Sequence, residues 1–162
     1  MRAEVAPQDQ VCSIQSSLEV LGQKWVFLIV RNALRGTRKF SDFRRELRMP
    51  SDVLSARLTA LVDAGIFTRQ SYQEAGSRMR WEYKLTPRGQ ELKVVLAALQ
   101  QWGEHNRPST GVPATYVRDR SGGNVRVALL DEDGRVLNTD DVHLVSAVVA
   151  HRINGSSPST PE

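Results

Sequence analysis

Cysteine is almost absent from the chain, and long apolar runs are absent altogether. Cys12 is the single cysteine among 162 residues, so no disulfide can form within one chain and a zinc site would lack a cysteine pair. No apolar segment approaches the roughly 20 residues that span a bilayer, and residues 1–12 lack the apolar stretch of a signal peptide. We therefore expect a cytoplasmic protein.

Residues that catalysis commonly requires are also scarce. His105, His143 and His151 are the only histidines, and none has a histidine four residues away or a nearby cysteine that would complete a metal site. The sequence shows no phosphate-binding glycine loop and no nucleophile placed beside a base. We expect no enzymatic activity, no metal and no cofactor.

Positive charge is concentrated in the first two thirds of the chain. Residues 1–107 hold 17 Lys and Arg against 11 Asp and Glu, whereas residues 108–162 hold 5 against 7. A basic segment favours polyanionic partners because binding releases counterions from them. An excess of this size is also common among proteins that never contact DNA, so charge alone does not decide the partner.

Apolar spacing predicts four helices in the first part of the chain. Residues 11–21 carry apolar side chains at helical spacing and end at Gly22. Residues 24–34 are apolar nearly all round and by composition could form a buried strand, but their length, the glycines on either side and two arginines near the end favour a buried helix. Ser41 is the expected N-cap of a short third helix, and Ser51 is the expected N-cap of a fourth. Two short helices joined by a tight turn form a helix-turn-helix candidate.

After Gly65 the apolar period changes from that of a helix to that of a strand. Two alternating runs separated by a turn-like segment predict a hairpin, with one face shared by Met79, Trp81, Tyr83 and Leu85. This order of helices and hairpin is that of a winged helix-turn-helix domain.

A long helix is predicted after the hairpin, and a region of different composition follows it. Thr86 and Pro87 have the form of an N-cap and a first helical residue, and an apolar stripe continues to about Trp102. Beyond the helix, Asp133 and Gly134 lie between two β-rich runs and indicate a second hairpin, to which residues 144–150 could add a strand.

These patterns predict an α+β protein: a winged helix-turn-helix domain with dimerisation helices and a small C-terminal β-hairpin appendage. The expected division of the chain is a flexible N-terminus (1–10), the DNA-binding and dimerisation domain (11–106), a linker (107–113), a β-rich appendage (114–153) and a disordered tail (154–162).

Candidate DNA-binding residues fall on the second helix of the motif. Burial of its leucines leaves small or polar side chains on the other side, where they could meet base edges. Arg57 is the best candidate for base reading because a guanidinium can bond a guanine edge bidentately, whereas Asp52 is better explained as a capping partner. An ordinary solvated helix face is the alternative for each of them. The candidates on this helix are Ser51, Asp52, Ser55, Arg57 and Thr59.

Basic residues on two neighbouring elements complete the candidate interface. Arg44 and Arg45 lie on the first helix of the motif, which crosses the DNA backbone and positions the protein on phosphates. Arg78 and Arg80 lie near the hairpin tip, where a phosphate or a minor-groove contact is expected. A solvated turn and a solvated helix face would have the same composition.

A family resemblance rests on segments in residues 11–104, about 60% of the chain. They resemble the HxlR family of bacterial winged-helix regulators, which is related to the MarR group. The resemblance implies a homodimer joined through its first and last helices, in which each recognition helix and wing addresses one half of a palindromic operator; we expect a repressor. The segments are GQKWVFLIVRNALRGTRKFSDFRREL, SARLTALVDAGIFTR, WEYKLTPRGQEL and LQQWG.

Cys12 occupies the place of a cysteine that the family pattern usually has before the first helix. In several relatives this thiol senses oxidants or electrophiles, so the resemblance implies a sensing role here, and a small-molecule effector is the other expectation. A single cysteine is more often a small buried hydrophobic residue.

The chain departs from the family in two ways. Its wing lacks the prolines that many relatives have there, and it carries the C-terminal appendage. The appendage could bind an effector, cover the dimer or pack against the core. The alternative hypothesis for the whole chain is a winged-helix module that binds other proteins and does not bind operator DNA.

Overall fold

The computed structural model describes residues 12–73, 76, 78–107 and 117–145. The expected flexible N-terminus and disordered tail lie outside these ranges, as does the expected linker apart from Arg107. The described helices and strands are α1 (Ser13–Leu21), α2 (Lys24–Leu34), α3 (Phe40–Leu47), α4 (Ser51–Asp63), β1 (Phe67–Tyr72), β2 (Arg80–Leu85), α5 (Pro87–Asn106), β3 (Leu129–Leu130), β4 (Val136–Leu137) and a 3₁₀ turn (Thr139–Asp141).

The predictions that Ser41 is the N-cap of α3 and that Ser51 is the N-cap of α4 are wrong. Lys39 is the N-cap of α3 and Pro50 is the N-cap of α4, and neither helix has a side-chain cap hydrogen bond. Extended backbone leads directly into α3, because the Arg38 carbonyl accepts a 2.8 Å hydrogen bond from the Tyr83 N–H. Pro50 has φ −57° and ψ 142°, a conformation that its ring favours before a helix. Ser51 is therefore the first residue of α4.

The turn between α3 and α4 depends on a left-handed residue. Arg48 ends α3 with φ 51° and ψ 40°, and it is the only residue other than glycine with positive φ among the described ones. This conformation turns the chain from the end of α3 into α4 over residues 48–50. Met49, in the middle of the turn, is buried in the core. The tight turn predicted for the helix-turn-helix motif is thus present.

The core lies between helices α2, α3 and α4 and the first hairpin. The rings of Phe43 and Phe67 meet edge to face at its centre, with their centroids 6.4 Å apart. The buried apolar residues are Val26, Ile29, Val30, Phe43, Met49, Leu54, Leu58, Leu61, Ile66, Phe67 and Tyr83. One contiguous hydrophobic cluster therefore holds α2, α3, α4 and the hairpin together.

The hairpin of β1 and β2 is the wing. Its antiparallel register runs from the pair Phe67 and Leu85 to the pair Tyr72 and Arg80. The predicted apolar face is only partly buried: Tyr83 lies in the core, whereas Trp81 is 41% and Met79 is 64% exposed. The face leaves the core toward the tip, since the helices cover only the base of the hairpin.

Helix α5 begins as predicted and extends further than predicted. The Thr86 hydroxyl accepts a 3.1 Å hydrogen bond from the Gly89 N–H, which caps the helix. A side chain at Gly89 would collide with the Ile66 carbonyl, so this glycine allows α5 to pack closely on the turn before β1. Beyond Trp102 the helix continues to Asn106, and the backbone hydrogen bond from the Arg107 N–H to the Gly103 carbonyl (2.8 Å) closes its last turn.

The appendage contains the predicted second hairpin. Leu129 pairs with Leu137 and Leu130 with Val136, and Gly134 takes φ 80° in the turn between them. The strand expected at residues 144–150 is not formed at residues 144 and 145, since no neighbouring strand pairs with them in the described ranges. Residues 146–150 lie outside those ranges.

Candidate nucleic-acid interface

Helix α4 presents a polar surface on the side away from its leucines. Leu54, Leu58 and Leu61 are buried at helical spacing, and they fix the rotation of the helix on the core. The exposed side chains on the remaining surface are those of Ser51, Asp52, Ser55, Ala56, Thr59, Ala60 and Asp63. Four of the five residues predicted on this helix are therefore accessible to a partner.

Arg57 lies elsewhere than expected. It follows Leu54 by three residues and precedes Leu61 by four, so it flanks the buried stripe and is itself half-buried. Its Nε atom is buried and has no hydrogen-bond partner among the described residues. By helical spacing Arg57 also lies on the opposite flank of α4 from Ser55 and Thr59. The leucine positions alone did not reveal that the stem of Arg57 would be covered.

A groove of about 490 Å³ separates α4 from the wing. Hydroxyl groups of Ser41, Ser55 and Thr59 lie on its helical side, and the side chain of Arg80 lies on its wing side. The full lining is Phe40, Ser41, Ser55, Thr59, Arg69, Tyr72, Arg80, Trp81 and Tyr83. Hydroxyl and guanidinium donors beside aromatic rings suit the phosphates and sugars of a nucleic-acid backbone.

Aromatic rings hold two cations of this region in place. The guanidinium of Arg69 lies 4.2 Å from the centroid of the Trp81 ring, and the Lys39 ammonium lies 5.0 Å from that of Tyr72. Cation–π contacts restrict long side chains without neutralising their charge. Arg69 and Ser41 were not among the predicted binding residues, because the register of the wing against α3 is not visible in the sequence.

The predicted phosphate-binding arginines of α3 lie together. Ser41, Arg44, Arg45, Arg48 and Met49 line a second groove of about 500 Å³. Arg45 forms a 2.8 Å ion pair with Asp42 on the same helix, whereas Arg44 and Arg48 form no ion pair with any described residue. The two unpaired guanidiniums are the ones available to a phosphate.

Of the two arginines predicted on the wing, only Arg80 belongs to a paired strand. Arg80 is the first residue of β2 and pairs with Tyr72, so its backbone is fixed beside the groove. Arg78 is exposed and precedes the strand. Tip residues 74, 75 and 77 lie outside the described ranges.

A buried polar network joins α2 to α3, and sequence reasoning missed it. Asn32 is 2% exposed; its Nδ2 donates to Glu46 Oε2 at 2.9 Å and its Oδ1 accepts from Arg31. The Thr37 hydroxyl donates to the same Glu46 oxygen at 2.8 Å. Burial and the neighbouring charge of Arg35 lower the pKa of the Arg31 guanidinium. A polar residue within an apolar helix was the available signal.

The wing carries its own charge pair. Lys84 Nζ lies 2.7 Å from Glu82 Oε1 and donates a hydrogen bond of the same length to Gln70. The hydrogen bond from Lys84, together with the positive charges of Lys84, Arg38 and Lys39, lowers the pKa of the Glu82 carboxyl despite some desolvation. The carboxylate thus offsets part of the positive charge at the base of the wing.

Apolar side chains of α1 and α5 face solvent. No residue of α1 is buried, and Ile14 and Leu18 are exposed. On α5 a stripe at helical spacing is formed by Val95, Leu99 and Trp102, and all three are exposed. Such a patch is typical of a protein–protein interface.

Cys12 lies at the N-terminal end of α1. It is exposed and takes the N-cap position, where its carbonyl accepts a 3.0 Å hydrogen bond from the Ser16 N–H. The residue is therefore accessible, unlike the buried cysteine that was the alternative. Among the described residues there is no group of side chains suited to a metal ion, and no helix long and apolar enough to cross a membrane.

The helix-turn-helix family model matches this same arrangement. The model described as HxlR-like helix-turn-helix covers residues 20–110, more than half of the chain. The chain belongs to the HxlR-like helix-turn-helix family. The match includes α2 to α5 and therefore every predicted DNA-binding residue. Family members of known sequence are described as transcriptional regulators: one from Mycobacterium tuberculosis is 36% identical over 111 residues, which are 68% of this chain and 69% of the relative.

Two similar solved structures differ in how much of the chain they match. PA1607, described as a transcription factor, shares 30% sequence identity with a TM-score of 0.73, over 85% of this chain and 96% of its own. The redox regulator HypR in its reduced form shares 29% identity with a TM-score of 0.54, over 59% of this chain and 94% of its own. The chain is thus a helix-turn-helix transcriptional regulator, with likeness to PA1607 beyond the family domain.

Proposed function

We propose that the protein is a sequence-specific DNA-binding regulator, a repressor that acts as a homodimer on a palindromic operator without catalysing a reaction. The observation that carries this proposal is the exposed polar surface of α4 beside a groove whose other wall is the wing. A helix presented in this way fits the major groove, while the hairpin reaches the neighbouring backbone.

The side chains divide into backbone-positioning and base-reading groups. Arg44 on α3 and Arg78 and Arg80 on the wing have exposed cationic groups and suit phosphates. Arg45 joins them at the cost of its ion pair with Asp42. The base-reading group comprises Ser51, Ser55, Arg57 and Thr59, and Asp52 lies beside them in the first turn of α4, where it complements the helix dipole.

Arg57 is the proposed base-reading arginine, and it would reach DNA from the flank of α4 opposite Ser55 and Thr59, with its outer guanidinium nitrogens extended past a covered stem. The buried Nε limits its movement, which lowers the entropy cost of a fixed contact. A bidentate contact to guanine from such a position would discriminate between bases by about 1–3 kcal/mol.

The proposal predicts a homodimer through α1 and α5. Their exposed apolar side chains, Ile14 and Leu18 on one helix and Leu99 and Trp102 on the other, lose contact with water when a second copy covers them. Two recognition helices held at a fixed spacing then match two half-sites.

The experiment is a mobility-shift titration of the full chain against the DNA upstream of its own gene, at several salt concentrations. Specific binding that weakens steeply with salt is expected. Arg57→Ala should relax the preference at one base position, and Arg120→Gln, a change of an exposed appendage arginine outside the interface, should not. Absence of binding to any upstream fragment would favour the alternative hypothesis, in which the protein is a protein-interaction module.

Oxidants or electrophiles are the proposed switch, acting at Cys12. The Cys12 thiol is exposed at the N-terminal end of α1, where a reagent can reach it, and the similar protein HypR is a redox regulator. Diamide takes two electrons and two protons from two thiols, so it would join the Cys12 residues of the two subunits in a disulfide; it should release DNA from the wild type and leave Cys12→Ser bound. Release from both proteins would place the switch elsewhere, with a small ligand as the effector.

A further inference from the structure

Helix α5 has three distinct faces along its second half. Leu92 and Leu96 pack on the core, and the exposed apolar stripe that contains Leu99 forms a second face. By helical spacing, Gln101 and Glu104 lie on a third face, roughly opposite the apolar stripe. The appendage contacts this third face, so the proposed dimer surface and the appendage do not compete for the same side of the helix.

A side-chain amide attaches the appendage to α5. Gln101 Nε2 donates a 3.0 Å hydrogen bond to the Val127 carbonyl, and Gln101 Oε1 accepts a 3.1 Å hydrogen bond from the Val127 N–H. The amide satisfies both backbone groups of one residue, as a neighbouring strand would. These two hydrogen bonds therefore fix the position of Val127 on α5.

A cleft of about 640 Å³ lies next to this attachment. Its volume is within the range of clefts that bind small organic molecules. The cleft is lined by Ala97, Gln100, Gln101, Glu104, His105, Val117, Arg118, Asn124, Val125 and Arg126. Valine and alanine side chains supply apolar surface, and the remaining groups are polar.

Two arginines and one carboxylate are among the residues that line the cleft. Arg118 and Arg126 line it against a single carboxylate, that of Glu104, whose Oε1 accepts a 2.8 Å hydrogen bond from Gln100. Arg135 of the appendage does not line the cleft and pairs with Asp131 and Asp133. Arg126 forms no ion pair with a described residue, so its guanidinium is available to an anion.

We infer that this cleft binds a small organic carboxylate and is a second effector site of the regulator, separate from the thiol switch proposed at Cys12. The carboxylate pairs with Arg126, which favours a charged hydrogen-bond acceptor, and the body of the molecule lies against Val117 and Val125. The effector role rests on the proposed function. Since the cleft joins α5 to the appendage, a bound ligand bears on the helix that is proposed to set the spacing of the two recognition helices.

The test is isothermal titration calorimetry on the full chain without DNA, with benzoate as the probe and benzamide as its neutral counterpart. The variant is Arg126→Gln, and the matched control is Arg120→Gln, which removes the same charge from an appendage residue that does not line the cleft. Circular dichroism confirms that both variants fold. Benzoate should bind the wild type and Arg120→Gln alike, with about tenfold weaker binding to Arg126→Gln.

Each outcome bears on one part of the inference. Absence of benzoate binding, equal binding of benzamide, or undiminished binding to Arg126→Gln would overturn the site. Calorimetry needs no DNA, so a failure of operator binding would contradict the proposed function and leave the site standing. Once benzoate binding is established, a mobility shift with saturating benzoate tests the effector role: altered operator affinity supports it, and unaltered affinity overturns it.

Discussion

Asn32 Nδ2 donates a 2.9 Å hydrogen bond to Glu46 Oε2 and thereby fixes α3 to α2. Asn32 is almost completely buried, and its Oδ1 accepts two hydrogen bonds from Arg31. A satisfied polar group in this position sets the orientation of the first motif helix more specifically than apolar packing does, because each hydrogen bond has a narrow range of geometry.

Asn32→Ala should lower the free energy of unfolding by about 2–3 kcal/mol, since it leaves a cavity and removes one of the two hydrogen-bond donors to Glu46 Oε2, the other being Thr37. Urea denaturation followed by circular dichroism measures the loss. Asn106→Ala, which removes an exposed asparagine at the end of α5, should change the value by less than about 0.5 kcal/mol. A similar loss in both variants would contradict a structural role for the buried network.

Arg44→Gln should weaken binding to operator and unrelated DNA alike, because a phosphate contact carries no sequence information. The slope of log affinity against log salt should fall in magnitude by about 1. Arg45→Gln should have a smaller effect, since the ion pair of Arg45 with Asp42 must break before it can serve DNA. Fluorescence anisotropy over a salt series measures both. An effect confined to the operator sequence would instead assign Arg44 to base reading.

Arg48→Gly should stabilise the fold and weaken DNA binding together. A left-handed conformation at φ 51° is unfavourable for a residue with a Cβ atom, so glycine should raise the free energy of unfolding by about 0.5–1 kcal/mol. Arg48→Ala is the matched control, because it removes the guanidinium and keeps the Cβ atom. It should lose the same DNA affinity without the gain in stability. Equal stability of the two variants would show that the turn imposes no conformational cost.

Lys84→Met should raise the pKa of Glu82 toward its ordinary value, because the hydrogen bond from Lys84 is the main cause of its low pKa. In the wild type the folded state binds this proton less tightly than the unfolded state. The associated stability is therefore present above the unfolded pKa and is lost as pH falls through the folded one. Carbon-13 NMR titration of the carboxyl measures the shift, and Lys84→Arg should keep the pKa low.

How much could be predicted from the sequence depends on whether a feature is local. The fold, the cap at Thr86 and the turn at Gly134 follow from neighbouring residues, so periodicity and turn chemistry were sufficient to predict them. The covered stem of Arg57 and the pairing of Gln101 with Val127 depend on elements distant in the chain. No local pattern encodes such contacts, since helix rotation and docking are decided by the assembled core.

Leu99→Glu should convert the proposed dimer to a monomer, because a carboxylate in the apolar stripe of α5 would be desolvated without a partner. Sedimentation velocity at low and high protein concentration measures the change. Lys93→Glu on the same helix is the matched control: it is exposed and lies away from Val95 and Trp102 by helical spacing, so the dimer should persist. Operator affinity should fall in Leu99→Glu alone, since a single recognition helix reads only one half-site. A dimer that survives the change at Leu99 would place the interface on another surface.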